Sequence, residues 1–336
     1  NTRSRGLGDV YKRQLLSTDL EVELEVCLSG ANIEQPGETT IPAKKAADII
    51  RELPEGQVSF ELNEESSKLT VKSSSGKYNL STIPGSDFPD FDVIKSDTTH
   101  KITPNKLYEL FLKTSFAMAN QDWRHYLNGC LFEKTGSSIN MVATDAHRLA
   151  IYKSNLEGEG DFTGIVPRKT VIELMKILPK QEDEIEFYIN SNNIVFMSKK
   201  FTFKSKLIDG NYPNYNQVVP QGEGSKITFN RKNMLDSLSR VSVLTSEKFK
   251  GVKLKTESGV LDISAHNPDQ ESAEEKLDVT SAGNEFDIAF NVNYLKEVLG
   301  TIDEEEISLI SFGSDKSALV ESGDSNQVLV LMPLLL

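Results

Sequence analysis

"SKLIDGNYPNY", residues 205–215, restates "STIPGSDFPDF", residues 81–91, after an interval of 124 positions. Without a gap, Ile83 falls on Leu207, Phe88 on Tyr212, Pro89 on Pro213 and Phe91 on Tyr215. The match extends outward at nearly the same spacing. "TTIPAKKAADIIRELP" from Thr39 meets "GIVPRKTVIELMKILP" from Gly164, and "KITPNKLYEL" from Lys101 meets "KITFNRKNML" from Lys226. A weaker third copy of the first pair is "IAFNVNYLKEVL" from Ile288. Solenoid units repeat every ~20–45 residues, so this longer period is that of a whole domain.

Each copy follows one grammar. An apolar strand leads into a short helix whose apolar residues fall at i, i+3 and i+4, as in Val171, Leu174, Met175 and Leu178. Alternating segments such as "DEIEFYI" and "NIVFMS" then read as strands, and a Pro/Gly/aromatic turn closes the copy. Strands in runs, without strict alternation with helices, predict an α+β fold. Polar stretches near Ser96 and Gly224 divide the chain into spans 15–96, 97–224 and 225–336. The first span is roughly forty residues shorter than a full copy, as expected of a truncated front. Residues 1–14, "NTRSRGLGDVYKRQ", lack apolar period and signal-peptide character, and read as a non-native leader outside the fold. Arg3, Arg5, Lys12 and Arg13 also admit a basic nucleic-acid arm.

The bulk numbers bound the function. With 336 residues, 38% of them hydrophobic, the chain can build several cores. It contains no run of eighteen apolar residues, so no membrane span is expected. Cys27 and Cys130 are too few for a disulfide framework or metal knuckle, and a reduced, cytoplasmic compartment is the default. The formal charge of −13 opposes a generic nucleic-acid binder, whose affinity comes from neutralising phosphate.

"ATDAHRLA", residues 143–150, gathers Thr144, Asp145, His147 and Arg148 in a chain with only four histidines. Catalysis is not supported there: no nucleophile motif accompanies Asp145 and His147, and no second His or Cys completes a metal site. Neither a catalytic residue nor a cofactor or metal is expected. A tight turn hydrogen-bonded by Thr144, Asp145 and Arg148, and the wall of a binding pocket, both remain open.

From Leu15 onward the chain resembles the bacterial sliding clamps, the beta subunits of DNA polymerase III. The resemblance rests on "STDLEVE" at 17–23, "QDWRHYLNG" at 121–129, "VATDAHRLA" at 142–150, "IVPRK" at 165–169, "DGNYP" at 209–213, "TSEKFKGVKL" at 245–254 and the closing "LMPLLL". It implies three similar domains per protomer. It implies also a head-to-tail homodimer that closes a ring around double-stranded DNA, helices lining the ring and antiparallel sheets outside. The implied activity is processivity, with no catalysis. The implied partners are the polymerase III alpha subunit, the clamp loader delta subunit, and other polymerases and repair proteins bearing clamp-binding peptides.

The resemblance also distributes roles. A peptide pocket is implied at Leu127, Thr144, Ala146, His147, Arg148, Leu149, Pro213, Gln217, Val218, Ser317, Val330, Met332, Pro333 and Leu334. An apolar groove with a polar rim suits an extended peptide carrying Gln and Leu/Phe. DNA contacts are implied at Gln121, Arg124, His125 and Tyr126, and on the helices at Lys44, Arg51, Arg168, Lys169 and Lys176. Lys44 and Arg51, like Lys169 and Lys176, stand seven apart and share one helix face. Asn293 and Gly300 break the pattern in the third copy. The interface is implied between Tyr78, Lys45, Lys68 and Lys77 on one side and Val243, Leu244, Asp269, Glu271, Glu274 and Glu275 on the other. Two departures weaken polar contacts to peptide ends: Leu335 stands where the family usually has Arg, and Gln217 where Arg is common. An Asp/His-dependent hydrolase and a repeat-built scaffold that does not encircle DNA are the competing readings. A metal or nucleophile near His147 marks the first, and no retention on circular DNA marks the second.

Overall fold

The computed structural model describes residues 2–4, 13–28, 30, 32–89, 91, 98–246, 248, 250–282, 285 and 287–334. The boundary placed near Ser96 and the departure at Leu335 lie outside these residues. The described chain forms two compact units, one of residues 1–103 with 182–207, the other of 104–181 with 208–336.

In the first unit an antiparallel sheet runs, in spatial order, Thr39–Ile41, Thr2–Ser4, Arg13–Thr18, Val22–Leu28, Phe201–Lys206, Asn193–Met197, Ile185–Ile189 and His100–Ile102. A smaller sheet joins Ser59–Asn63, Lys68–Lys72 and Lys77–Ser81. Its core of Ala46, Leu69, Val71 and Leu80 packs against Ile49 and Val58. Helix α1, Ala43–Glu52, supplies Ala46 and Ile49 to that core. The leader does not stand wholly outside the fold. Arg13 and Gln14 open a strand, and Thr2–Ser4 pairs with it and with Thr39–Ile41. Ladder pairing uses only backbone N–H and C=O, which a sequence without apolar period still carries.

The second unit holds a nine-stranded sheet in the order Phe162–Pro167, Gly129–Thr135, Ser138–Thr144, Arg148–Asn155, Gln327–Leu331, Ala318–Glu321, Glu306–Ser311, Ser225–Asn230 and Thr280–Ala282. A four-stranded sheet runs Ser272–Asp278, Val260–His266, Gly251–Glu257 and Asp287–Asn291. Helices α2 (Pro104–Leu112) and α3 (Arg168–Ile177) pack together, as do α4 (Arg231–Val241) and α5 (Val292–Gly300). On α3 the buried residues are Thr170, Val171 and Leu174, the face its apolar spacing specifies. Asn230 and Asn291 cap α4 and α5 by accepting first-turn N–H groups. Among the described residues no helix is long and apolar enough to cross a membrane.

Compact units and sequence copies therefore do not coincide. The last strand of the second copy, Phe201–Lys206, pairs with Val22–Leu28 of the first. The last strand of the third, Gln327–Leu331, pairs with Arg148–Asn155 of the second.

Candidate functional site

The Thr144–Arg148 segment is a tight turn between two strands. Thr144 Oγ1 donates to the Arg148 carbonyl at 2.6 Å and accepts the Ala146 N–H. Asp145 Oδ1 accepts the N–H groups of His147 and Arg148 at 2.9 and 3.0 Å. Ala146 sits at φ 72°, in the left-handed region, which these bonds hold in place.

Arg148, one of the residues of that turn, is buried. Its Nε meets Asp145 Oδ2 at 3.1 Å, one terminal nitrogen reaches Glu297 on α5, and the other donates to the Phe116 carbonyl. The guanidinium also lies 4.4 Å from the Tyr294 ring centroid and 5.3 Å from that of Phe116. A cation leaves water only when each N–H finds a partner, which is why two carboxylates and a carbonyl converge on it. His147 remains exposed and stacks on Tyr294, with centroids 5.9 Å apart.

After the turn, the strand enters an apolar floor of buried side chains. Leu149 pairs with Val330, each 2% exposed, within a cluster completed by Leu131, Val142, Ile151 and Ile165. Tyr126, Ile208, Tyr212, Tyr215, Val219, Leu319 and Val328 pack around it. Val218 and Met332 stay 45% and 39% exposed beside this floor. Each is tied to it by the backbone: the Val218 carbonyl accepts from Ser317 Oγ, and the Met332 N–H donates to the His147 carbonyl at 2.8 Å. Pro333 and Leu334 are half-buried, the Leu334 N–H bonding the Ala289 carbonyl, while Pro213 and Gln217 are exposed on the neighbouring loop. Leu127 is fully buried and its carbonyl accepts the Ala119 N–H. Tyr215 donates to Glu133 and, chiefly through burial, its hydroxyl is pushed up to about 12. Among the described residues no group of three His, Cys, Asp or Glu is placed to hold a metal.

The 121–127 loop divides between two surroundings. Tyr126, expected on DNA, turns its ring onto the pocket cluster. Arg124 is locked to Asp122 by two side-chain bonds of 3.0 and 2.8 Å, which hold the Asp122 carboxyl down at about 2. Gln121 and His125 are exposed.

Models of the DNA polymerase III beta subunit match the chain in three parts: the N-terminal domain over residues 10–92, the central domain over 101–214 and the C-terminal domain over 216–335. The chain belongs to the DNA polymerase III beta subunit family. It is 39% identical to the beta sliding clamp of Pseudomonas aeruginosa over 95% of its length and 88% of the relative's. The Escherichia coli K12 beta sliding clamp is 38% identical over the same shares. A crystal structure of the Pseudomonas aeruginosa beta subunit superposes with a TM-score of 0.94 at 37% identity, covering all of this chain and 92% of that one. A sliding clamp of the same organism bound to griselimycin superposes at 0.93 and 38% identity, covering 100% of this chain and 91% of that one. The chain thus has the clamp fold and is a non-catalytic processivity factor of DNA polymerase III.

The remaining residues that the clamp resemblance implicates fall on recognisable elements. Lys44, Arg51, Lys169 and Lys176 are all on the exposed faces of α1 and α3. Arg51 pairs with Asp48 and Lys176 with Glu173, so the two helices repeat the same i,i+3 ion pair. Arg168, half-buried at the start of α3, donates to the Met118 carbonyl at 3.2 Å. Lys68, Lys77 and Tyr78 are exposed on or beside the edge strand Lys77–Ser81, and Lys45 is exposed on α1. Asp269, Glu271 and Glu274 are exposed near the edge strand Ser272–Asp278, and Val243, 77% exposed, precedes half-buried Leu244. Glu275 is not free: Arg240 and Ser237 of α4 take both its oxygens and hold it at about 2.

Sequence reasoning missed the aromatic packing of the site. Tyr212 and Tyr215 marked the repeat, and their recurrence as aromatics beside proline was the available signal for a conserved packing role within the chain. Leu319 and Val328 fit the period-2 spacing of their strands. Glu297, Tyr294 and Phe116, which fix Arg148, carry no local signal because they meet it only in the fold.

Proposed function

We propose that the groove over Leu149 and Val330 docks short extended peptides, and that two copies of the chain close head to tail around duplex DNA. The peptide reading rests on one observation: the buried apolar cluster is flanked by partly buried Tyr212, Val219 and Leu319, with Val218 and Met332 exposed next to it in the chain. Apolar side chains of a peptide gain by leaving water there, while Gln217, Ser317 and His147 at the rim offer hydrogen bonds. The peptides are those of the polymerase III alpha subunit, the clamp loader delta subunit and other clamp-binding polymerases and repair proteins.

Assembly is supported by two sheet edges of opposite character. The Lys77–Ser81 edge carries Tyr78 with Lys68 and Lys77 near it, and the Ser272–Asp278 edge carries Glu274 with Asp269 and Glu271 near it. An open edge offers unpaired backbone groups, and complementary charge sets orientation more than affinity. Lys44, Arg51, Lys169 and Lys176 face the encircled DNA. A topological hold needs no dense phosphate clamp, which reconciles DNA binding with a charge of −13. A replication role places the protein in the cytoplasm.

Calorimetric titration with a peptide carrying Gln and a Leu-Phe end tests the pocket. Met332→Asp puts a charge where apolar peptide groups sit, costing several kcal/mol, enough to abolish micromolar binding. Undiminished binding by a folded Met332→Asp chain overturns the assignment.

A further inference from the structure

The loop before the pocket alternates in exposure. Gln121, Trp123 and His125 point outward, whereas Asp122, Arg124, Tyr126 and Leu127 are partly or wholly buried. Trp123 is the chain's one tryptophan, and at 82% it is the most exposed large apolar side chain among the described residues. A solvated indole is an unfavourable use of the largest apolar side chain unless something covers it.

The loop holds this face firmly. The Asn128 side chain accepts the Asp122 N–H at 2.9 Å and donates to the Asp122 carbonyl at 2.8 Å. Asp122 in turn accepts the Arg124 N–H at 2.8 Å, and the Leu127 and Asn128 N–H groups close a tight turn onto the Arg124 and His125 carbonyls. Arg124 lies 5.7 Å from the Trp123 ring, so a cation backs the indole while its charge is matched by Asp122. The outward face is then an amide, an indole and an imidazole. That set is poor at neutralising phosphate. It suits an unpaired base, whose faces stack on aromatic rings and whose edge accepts and donates to an amide.

We propose that Trp123, assisted by Gln121 and His125, stacks on unpaired nucleotides of the DNA the clamp encircles. The inference rests on the clamp reading above and adds to it a preference for single-stranded over fully paired DNA. Bases inside a duplex have both faces covered, so this loop engages only where a strand is unpaired.

The lone tryptophan reports on its own contact. Titrating the full chain with oligothymidylate should quench its fluorescence substantially, and a blunt duplex of equal length should leave it nearly unchanged. Because stacking rather than phosphate neutralisation is read, the quench should depend weakly on salt. Trp123→Ala should lower affinity for a primer-template with a single-stranded overhang by roughly fivefold or more, and Trp123→Phe should retain most of it. Retention of Trp123→Ala on closed circular duplex should equal wild type, which separates this inference from the ring itself. Fluorescence that ignores oligothymidylate, responds equally to blunt duplex, or shifts only with clamp-binding peptide overturns the proposal.

Discussion

The turn at Thr18–Val22 and the turn at Thr144–Arg148 are the same object built twice. Thr18 Oγ1 donates to the Val22 carbonyl at 2.8 Å and accepts the Leu20 N–H, as Thr144 does with Arg148 and Ala146. Asp19 Oδ1 accepts the N–H groups of Glu21 and Val22, as Asp145 does those of His147 and Arg148. Leu20 at φ 77° matches Ala146 at φ 72°. The difference comes one residue later. In the first copy buried Glu23 faces Lys204 across the strands, with an ion pair of 2.6 Å. At the corresponding place in the second, Leu149 faces Val330. Thr and Asp therefore make the turn, and the following strand position decides whether an apolar floor exists. The hydroxyl and carboxylate of "ATDAHRLA" are engaged by the turn's backbone and by the Arg148 side chain, which leaves the proposed pocket to Leu149 and its neighbours.

Transplanting the ion pair tests this most severely. Leu149→Glu alone places an unpartnered carboxylate in the floor and should cost about 3–5 kcal/mol in urea unfolding. Adding Val330→Lys should recover much of that stability while peptide binding stays lost; recovery of binding would show that the floor is elsewhere. Asp145→Ala should follow, at about 2–3 kcal/mol, because it also strips a partner from buried Arg148. Asp19→Ala, at an exposed turn where Val22 stands in the place of Arg148, should cost less than Asp145→Ala. Equal losses would mean that Arg148 does not depend on Asp145. Thr18→Ala and Thr144→Ala remove matching bonds and should each cost about 1 kcal/mol by thermal melts.

The smallest effect concerns acid. The Asp122 and Glu275 carboxyls, paired with Arg124 and Arg240, sit at about 2, below their ordinary 3.8 and 4.5. What they contribute to stability is complete above those ordinary values and fades as pH falls toward about 2. Carboxyl carbon shifts followed by NMR should show both ionised at pH 3; ordinary titration at either would remove its arginine pair from solution.

The repeat and its helices were legible because backbone grammar leaves a local trace. Proline before α1 and α3, apolar spacing along α3, and the recurring Pro-aromatic turn needed no distant residue to be recognised. That Leu149 is apolar where Glu23 is acidic is plain in the sequence, but its pairing with Val330 is not, because that strand lies far along the chain. Burial of Arg148 was illegible, because its partner Glu297 lies 149 positions away. Tyr126 shows the same limit: its inward turn follows from loop alternation, but the surface it meets is assembled from strands and loops far along the chain.

The strand Val22–Leu28 finds its outer neighbour only in Phe201–Lys206, a partner 181 residues further along at the Glu23–Lys204 pair. During synthesis at roughly 5–20 residues per second, that flank waits about 10–40 s for its mate. Meanwhile a nascent chain presents open backbone to every ribosomal neighbour, a hazard for strands of high pairing capacity. A charged residue at Glu23, facing outward into that interval, discourages premature partners as an apolar one does not. Arg148–Asn155 must wait similarly for Gln327–Leu331, whose Val330 lies 330 − 149 = 181 positions after Leu149. The same stitching that welds the copies thus makes birth, rather than maturity, the vulnerable moment of this protein.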